Sequence, residues 1–584
     1  SGVDFILQGN FSREGEVFRI STSIHETLSM DPVGAERVEG NTEQSIFTMV
    51  DRLTRKIKED LNLSPEAIAR DIDKDVMNIT TNSPEAMKHY IEGKILFKEY
   101  EFEKSILALE KAIDIDPEFS LAYVKLSENY FYLVDAEEGE KFLSKALSLL
   151  NKVSDREFYL IQSYAAYTPE TQMESFQKLL ELYPDDIEAV TYLAARYRNL
   201  EEWDQALNAF EKVIEIDPQD ANAYENISLI YMAKGMYEEA WNILIASERM
   251  FSDRVTFLVR LGTAYLCGHE YDKALEKAEE ALSLSAESYL VNELKGHILQ
   301  ISGDLESSEE SYRTLIEMDY SMYTYMGRLW LAHLRLMQGE YDWVENEVRK
   351  ILEEYQQSDF LPGLFNFKIL DAYIKLQKGL FPEALDLSAQ ALEAANEARI
   401  YNYLISAMHF RGLVYAKTER FREARETADR LERNIEDSEN KKMMRYYHHL
   451  NGEIALSEGD FSRAIDEFET ALSLLSEQNS KVDTHIIFVD SLASAYLKKQ
   501  DYRKAQNEYE KILALTMGRL RWGDKYALAF YRLGKIHQVL GEEQKASEYY
   551  DKFLKLWADA DSDLAEMADA RQQLSVLGRT SRMK

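Results

Sequence analysis

The stretch from Ala86 to Pro117, AMKHYIEGKILFKEYEFEKSILALEKAIDIDP, decides the fold. Gly93 stands at its eighth place, Ala112 at its twenty-seventh, and Asp116-Pro117 closes it. The same offsets return down the chain. Alanine occupies the twentieth place as Ala206, Ala240, Ala274, Ala384, Ala424, Ala464, Ala505 and Ala546; glycine occupies the eighth as Gly93, Gly262, Gly296, Gly412, Gly452 and Gly534. Where two antiparallel helices cross, only a small side chain lets the backbones approach. Thirteen helix pairs between Ala86 and Phe553 are predicted on this template. Self-similarity at such a period marks a solenoid, in which each repeat contacts only its neighbours.

Large residues fill the spaces between the small ones: Tyr130, Tyr231, Tyr265, Tyr415 and Tyr496 at the eleventh place, and Phe176, Phe210, Phe468, Tyr509 and Tyr550 at the twenty-fourth. This pattern resembles the tetratricopeptide repeat, and it covers about four fifths of the chain. The resemblance implies a mainly α fold, a right-handed superhelical solenoid with a concave groove that takes a peptide or protein.

The chain ahead of the array reads differently. Asp4 to Gln8 and Val17 to Ile24 are β-formers around a turn placed between Gly9-Asn10 and Gly15, Ala35 to Val38 is a further extended stretch, and a helix runs to about Leu61. DFILQGNF (4–11), VFRISTSI (17–24) and TNSPEA (81–86) are similar to the second half of a TolB-like domain. That domain precedes tetratricopeptide repeats in bacterial transmembrane serine/threonine kinases and related signalling proteins, and the ending FLKLWADAD (553–561) resembles how those kinases close their array. The expected organisation is a partial α+β module over 1–62, a linker over 63–85, a 34-residue-period array over 86–288, an array of about 40-residue period over 289–561, and a capping helix with a basic tail over 562–584. Ser1-Gly2 reads as a processing scar, and any kinase or cyclase domain is expected upstream of this chain.

Composition removes several function classes. The 68 Lys and Arg stand against 104 Asp and Glu, a formal net charge of −36, and this surface repels phosphate backbones, so no nucleic acid partner is expected. No apolar run reaches the roughly 18 to 20 residues that span a bilayer. A single cysteine, Cys267, excludes an intramolecular disulfide and a Cys-based zinc site, and reads as a small packed residue. No phosphate-binding loop, kinase catalytic loop or H-E-x-x-H motif occurs, so neither catalysis nor a cofactor is expected. The adjacent His448 and His449 point about 100° apart on one helix and suit no shared metal. His297 and His333 share the ninth place of neighbouring repeats, where groove polarity is the ordinary reading and a two-His site the sharper one.

The resemblance places the concave face at first-helix places two, five, nine, twelve and thirteen. The first two repeats put Met87, Tyr90, Lys94, Phe97, Phe131 and Tyr132 there; the eighth and ninth put Met326, Leu329, His333, Met337 and Tyr373. Exposed methionines and aromatics make adaptable partner surfaces. In a tight superhelix the same residues would pack across the groove instead. Tyr90 stands where chaperone-binding tetratricopeptide proteins carry the first lysine of their carboxylate clamp, so a chaperone-tail reader is not expected.

Together these features lead to the expectation of a non-catalytic protein–protein interaction scaffold, the sensory or docking region of a bacterial signalling protein. The alternative is a self-assembling solenoid, a homo-oligomer or filament joined through the β-module edge and the solenoid ends. For compartment, the resemblance leans to the extracytoplasmic side of a bacterial membrane, and one cysteine leaves the cytoplasm open.

Overall fold

The computed structural model describes residues 5–26, 31–42, 45–61, 81, 83–98, 101–132, 136–166, 169–251, 253–318, 321–355, 361–398, 400–476 and 485–583. Most of the linker, residues 63–80, lies outside them. The chain is mainly helical with a small sheet at its start, and it divides into two compact units, Ser1–Leu193 and Ala194–Lys584.

In the first unit, β1 (Phe5–Glu14), β2 (Val17–Glu26) and β3 (Pro32–Gly40) form an antiparallel sheet in that order, and α1 (Ser45–Asp60) follows. The turn is confined to Gly15-Glu16, at the end of the Gly9–Gly15 stretch that the sequence favours, and β1 runs through the rest of that stretch. Gly15 has a φ of 64°, as a two-residue hairpin turn demands, while Gly9 and Asn10 sit mid-strand opposite Thr22 and Ser21. Phe18, Val38, Met49 and Leu53 form the module's core, with α1 packed on β3 and β2. Leu7 and Phe11 pair with Ile24 and Ile20, so they share a face with that core, yet each is 55% exposed.

Helix pairs begin with Pro84–Lys98 and Phe102–Ile115. Two contacts explain why they close. A Cβ added at Gly93 would meet Leu109 at 2.6 Å, and the Ser105 hydroxyl donates to the Gly93 carbonyl at 2.8 Å. Thirteen such pairs are present among the described residues, and a final helix, Ala565–Met583, follows them. It lies within the expected 562–584, and Met567, Ala570 and Leu577 bury in one cluster with Phe553 and Trp557. Most of the basic tail is therefore helical.

Position in the array decides exposure. Places six and ten of the first helix are Ile91 and Ile95 in the first repeat, 50% and 52% exposed. In the eleventh repeat they are Leu450 and Ile454, buried with Leu431 and Ile435 of the preceding helix.

Within the second unit the repeats lengthen. First helices of 13 residues, such as Ala221–Ala233, give way to 17 in Ser321–Met337, Leu361–Gln377 and Tyr401–Lys417, and second helices reach 18 in Phe381–Ala398. One added turn is about 5.4 Å. The link between the two helices of a repeat passes through a left-handed residue, which glycine adopts without strain. Gly235, Gly303, Gly339, Gly379, Gly459 and Gly541 fill it, but so do Glu201, His269, Glu419 and Gln500.

The same unit also folds back on itself. Arg445 donates through both terminal nitrogens to Glu201 at 2.8 and 2.9 Å, with both residues buried, and Lys442 donates to the Glu201 carbonyl. Further along, Trp557 Nε1 donates to the Met337 carbonyl at 3.1 Å, and the Asp342 amide donates to Asp561 at 2.9 Å. Repeats seven apart and five apart in sequence therefore touch.

Candidate functional site

The inner strip of the first unit is built by three helices, Pro84–Lys98, Ser120–Tyr132 and Asp155–Tyr164, and by the start of Ile187–Asn199. Its charges are mutually satisfied. Lys94 Nζ lies 2.7 Å from Glu188, Arg156 Nη2 lies 3.2 Å from the same carboxylate and its Nε pairs with Asp186, and Lys125 lies 2.5 Å from Glu128. Burial pushes the Glu188 carboxyl up, but Lys94, Lys125 and Arg156 outweigh it and hold the pKa at about 2. Glu188 therefore stays ionised through the physiological range.

The aromatic residues surround this network. Tyr90 is buried against Phe119, ring centroids 4.8 Å apart, with Lys94 over its face at 5.5 Å. That burial, together with Glu188 and Glu128, raises its hydroxyl well above the usual tyrosine range. Of the six candidates here, Tyr90 is thus a wall rather than an accessible group. Phe97 is half-buried, edge-on to Phe102 at 5.6 Å, with Lys125 5.5 Å from its ring centre. Met87 and Lys94 are half-buried, Phe131 is 44% exposed, and the Tyr132 side chain lies outside the described residues. Phe97 thus offers apolar surface beside a lysine whose charge is already balanced, and Phe131 offers more on the second repeat.

On the second unit the five candidates are covered. Leu329, His333, Met337 and Tyr373 are buried and Met326 is half-buried, so the strip is no open groove. The physical reason is close packing across the array: the chain from Arg519 to Asp524 lies on them. Gly523 comes so near Met337 that a Cβ there would sit 2.5 Å from the Met337 Cβ. His333 meets Trp522 with centroids 5.8 Å apart, and Tyr373 meets the same indole at 4.6 Å. His297 and His333 flank Trp330, at 4.5 and 6.2 Å between ring centroids. Burial and then Arg521 push both imidazoles down to about 3, which keeps them neutral.

Three further polar arrangements were not predicted from sequence. His409 Nε2 lies 3.0 Å from His449 Nδ1, His449 Nε2 lies 3.0 Å from Ser491 Oγ, and Ser491 donates to Glu453 at 2.5 Å, which Lys417 meets at 2.7 Å. With its proton committed to Glu453 and only 5% of its surface exposed, Ser491 is no nucleophile. Burial and the facing His449 hold His409 far below the usual histidine range, and burial holds His449 at about 4. Next, Asp371 carries a carboxyl raised to about 6 by burial. Last, Asp524 accepts from Tyr341 at 3.1 Å and Tyr373 at 2.5 Å, which explains how a fully buried aspartate is tolerated. The one sequence signal for any of these was the histidines' shared fifth place in repeats ten and eleven.

Among the described residues no group of three or more His, Cys, Asp or Glu is placed to hold a metal. No helix described is long and apolar enough to cross a membrane. Cys267 is buried and its thiol is pushed up to about 12.

Similarity to known proteins follows the repeats. A family model described as TPR repeat matches residues 194–235, and models described as Tetratricopeptide repeat match 291–321 and 491–561. The Photosystem I assembly protein Ycf3 of Prochlorococcus marinus strain NATL1A is 25% identical over 124 residues, 21% of this chain and 68% of the relative. Its counterpart in Synechococcus sp. strain CC9605 is 23% identical over 115 residues, 20% and 64% of the two chains. Among solved structures, a tetratricopeptide repeat protein from Parabacteroides merdae is 19% identical, covers 47% of this chain and 98% of its own, and has a TM-score of 0.32. Yeast Tom70 is 14% identical, with 85% and 96% covered and a TM-score of 0.31. The fold is a tetratricopeptide-repeat solenoid with a small three-stranded sheet at its start.

Proposed function

We propose that this chain is a non-catalytic protein–protein interaction scaffold that receives a peptide or protein segment on the inner strip of its first unit. The observation that carries this is half-buried Phe97 beside Lys125, 5.5 Å from its ring centre, within the balanced Lys94 and Lys125 network, with Phe131, 44% exposed, adding apolar surface on the second repeat. An aromatic anchor ringed by charges that are already paired accepts an apolar side chain at little desolvation cost. Tetratricopeptide proteins in general mediate protein–protein contacts, and the repeat matches support the same reading here.

The test is selection of peptides from a displayed library on the purified chain, followed by calorimetry on variants. Phe131→Ala and Phe97→Ala are expected to weaken selected peptides by about tenfold or more each. Unchanged affinity in both variants would place binding elsewhere and end this reading.

The resemblance of the sheet and the chain's end to bacterial kinases supports placement in a signalling protein on the extracytoplasmic side of a membrane. A second reading is favoured by β1, whose Leu7 and Phe11 are exposed on a strand at the edge of the sheet: self-assembly through the module. Light scattering over a concentration series decides it. A mass that stays at 67.8 kDa counts against it; a larger species lost on Leu7→Lys with Phe11→Lys counts for it.

A further inference from the structure

The segment that covers the inner face of repeats seven to nine is seated residue by residue, in an order that follows the repeats. Arg519 donates to the Ile301 carbonyl, and Gln300 Nε2 donates to the Leu520 carbonyl at 3.3 Å, with Gln300 itself held by the Tyr312 hydroxyl at 2.8 Å. These are contacts to the seventh repeat. The Leu520 side chain, 1% exposed, packs in the cluster that holds Ile301, Trp330, Leu334 and Met337. Arg521 then lays its guanidinium 5.6 Å from the centre of the Trp330 ring, and the Trp330 indole donates to Glu293 at 2.7 Å. Trp522 enters between His333 and Tyr373, on repeats eight and nine, and Asp524 ends the run at the Tyr341 and Tyr373 hydroxyls.

Side chains from three successive repeats thus hold the bend Leu520–Trp522, which links the 3-10 turn Met517–Arg519 to the helix Gly523–Val539, through alternating main-chain, apolar and charged contacts, as a groove recognises a peptide. The stretch is also chemically distinct. Arg519-Leu520-Arg521-Trp522 is basic and aromatic in a chain of net charge −36, and it lies beside a carboxylate, Glu293, to which Arg521 and Arg260 are attracted.

We propose that Arg519–Asp524 is an intramolecular pseudo-ligand, and that the inner face of repeats seven to nine is a second peptide site whose partner carries the same Arg-apolar-Arg-Trp chemistry. This rests on the scaffold reading given above, but uses a different face and opposite occupancy: the site is filled until a partner segment displaces its own chain. A tethered competitor acts at an effective concentration of about millimolar, so a partner must outbid it or arrive multivalently.

The test uses the full chain and a fluorescent peptide of residues 517–526, MGRLRWGDKY. A variant with Leu520→Ser, Arg521→Ser and Trp522→Ser is expected to bind it about tenfold or more tightly than the wild type, as removal of the competitor raises the competent fraction. A scrambled peptide is expected to show no such gain. Equal binding by wild type and variant, with the variant's helical circular dichroism intact, overturns the proposal. Should the triple variant not fold, the wild type decides. Excess peptide is expected to speed hydrogen exchange at residues 517–524 at least about threefold, and unchanged exchange overturns the proposal. Loss here with Phe131-dependent binding retained leaves the scaffold reading standing; loss of both removes it.

Discussion

Glu419 and Gln500 are exposed, hold φ of 59° and 65°, and occupy a link that six other repeats fill with glycine. An L-residue there costs about 1–2 kcal/mol, and glycine gives back about 0.4–1 through the unfolded chain. Glu419→Gly and Gln500→Gly are therefore expected to stabilise by about 0.5–1 kcal/mol each in urea unfolding. Glu201 has the same backbone but not the same role. Its carboxylate is the partner of buried Arg445, so Glu201→Gly is expected to destabilise by about 3–5 kcal/mol. Likewise Ile454→Ala is expected to cost about 2–5 kcal/mol, while Ile95→Ala, at the same repeat place but half exposed, costs well under half of that. Small and aromatic places were readable because helix crossing demands a size at each. The Glu201–Arg445 pair was not, since its partners stand 244 residues apart and neither falls at a repeat-defining place.

At the scale of the helix, Leu361–Gln377 carries a pH dependence. Burial raises the Asp371 carboxyl from 3.8 to about 6, so the folded state holds the proton more tightly than the unfolded chain. Its contribution is complete below about pH 3.8 and is lost as pH rises through 6. Asp371→Asn is accordingly expected to raise the melting temperature at pH 7.5 and to leave it nearly unchanged at pH 4. A variant that melts like the wild type at both values would show that Asp371 is solvated. The helix pairs themselves were legible from one repeat's spacing, and so was the β-β-β-α order of the first 60 residues. The turn was drawn too long at its start because Gly9-Asn10 carries turn chemistry, whereas the pairing of β1 with β2 runs from Phe5 to Glu14.

At the scale of the molecule, repeat places identify which side chains face inward but not what those side chains meet. Met326, Leu329, His333, Met337 and Tyr373 are the inner-face residues expected from the repeat places, and the second unit covers them with chain about 150 to 220 residues further on. In the first unit, Phe97, Phe131 and Met87 keep part or much of their surface exposed. The two units thus contrast: a second-unit inner face occupied by its own chain and a first-unit strip that is accessible. Hydroxyl-radical footprinting of the intact chain, read residue by residue by mass spectrometry, measures that contrast directly. Phe131 and the exposed Met322 are expected to oxidise readily, with Met337 and Tyr373 protected about tenfold or more. Oxidation of Met337 at the rate of Met322 would contradict it and show the second groove to be open.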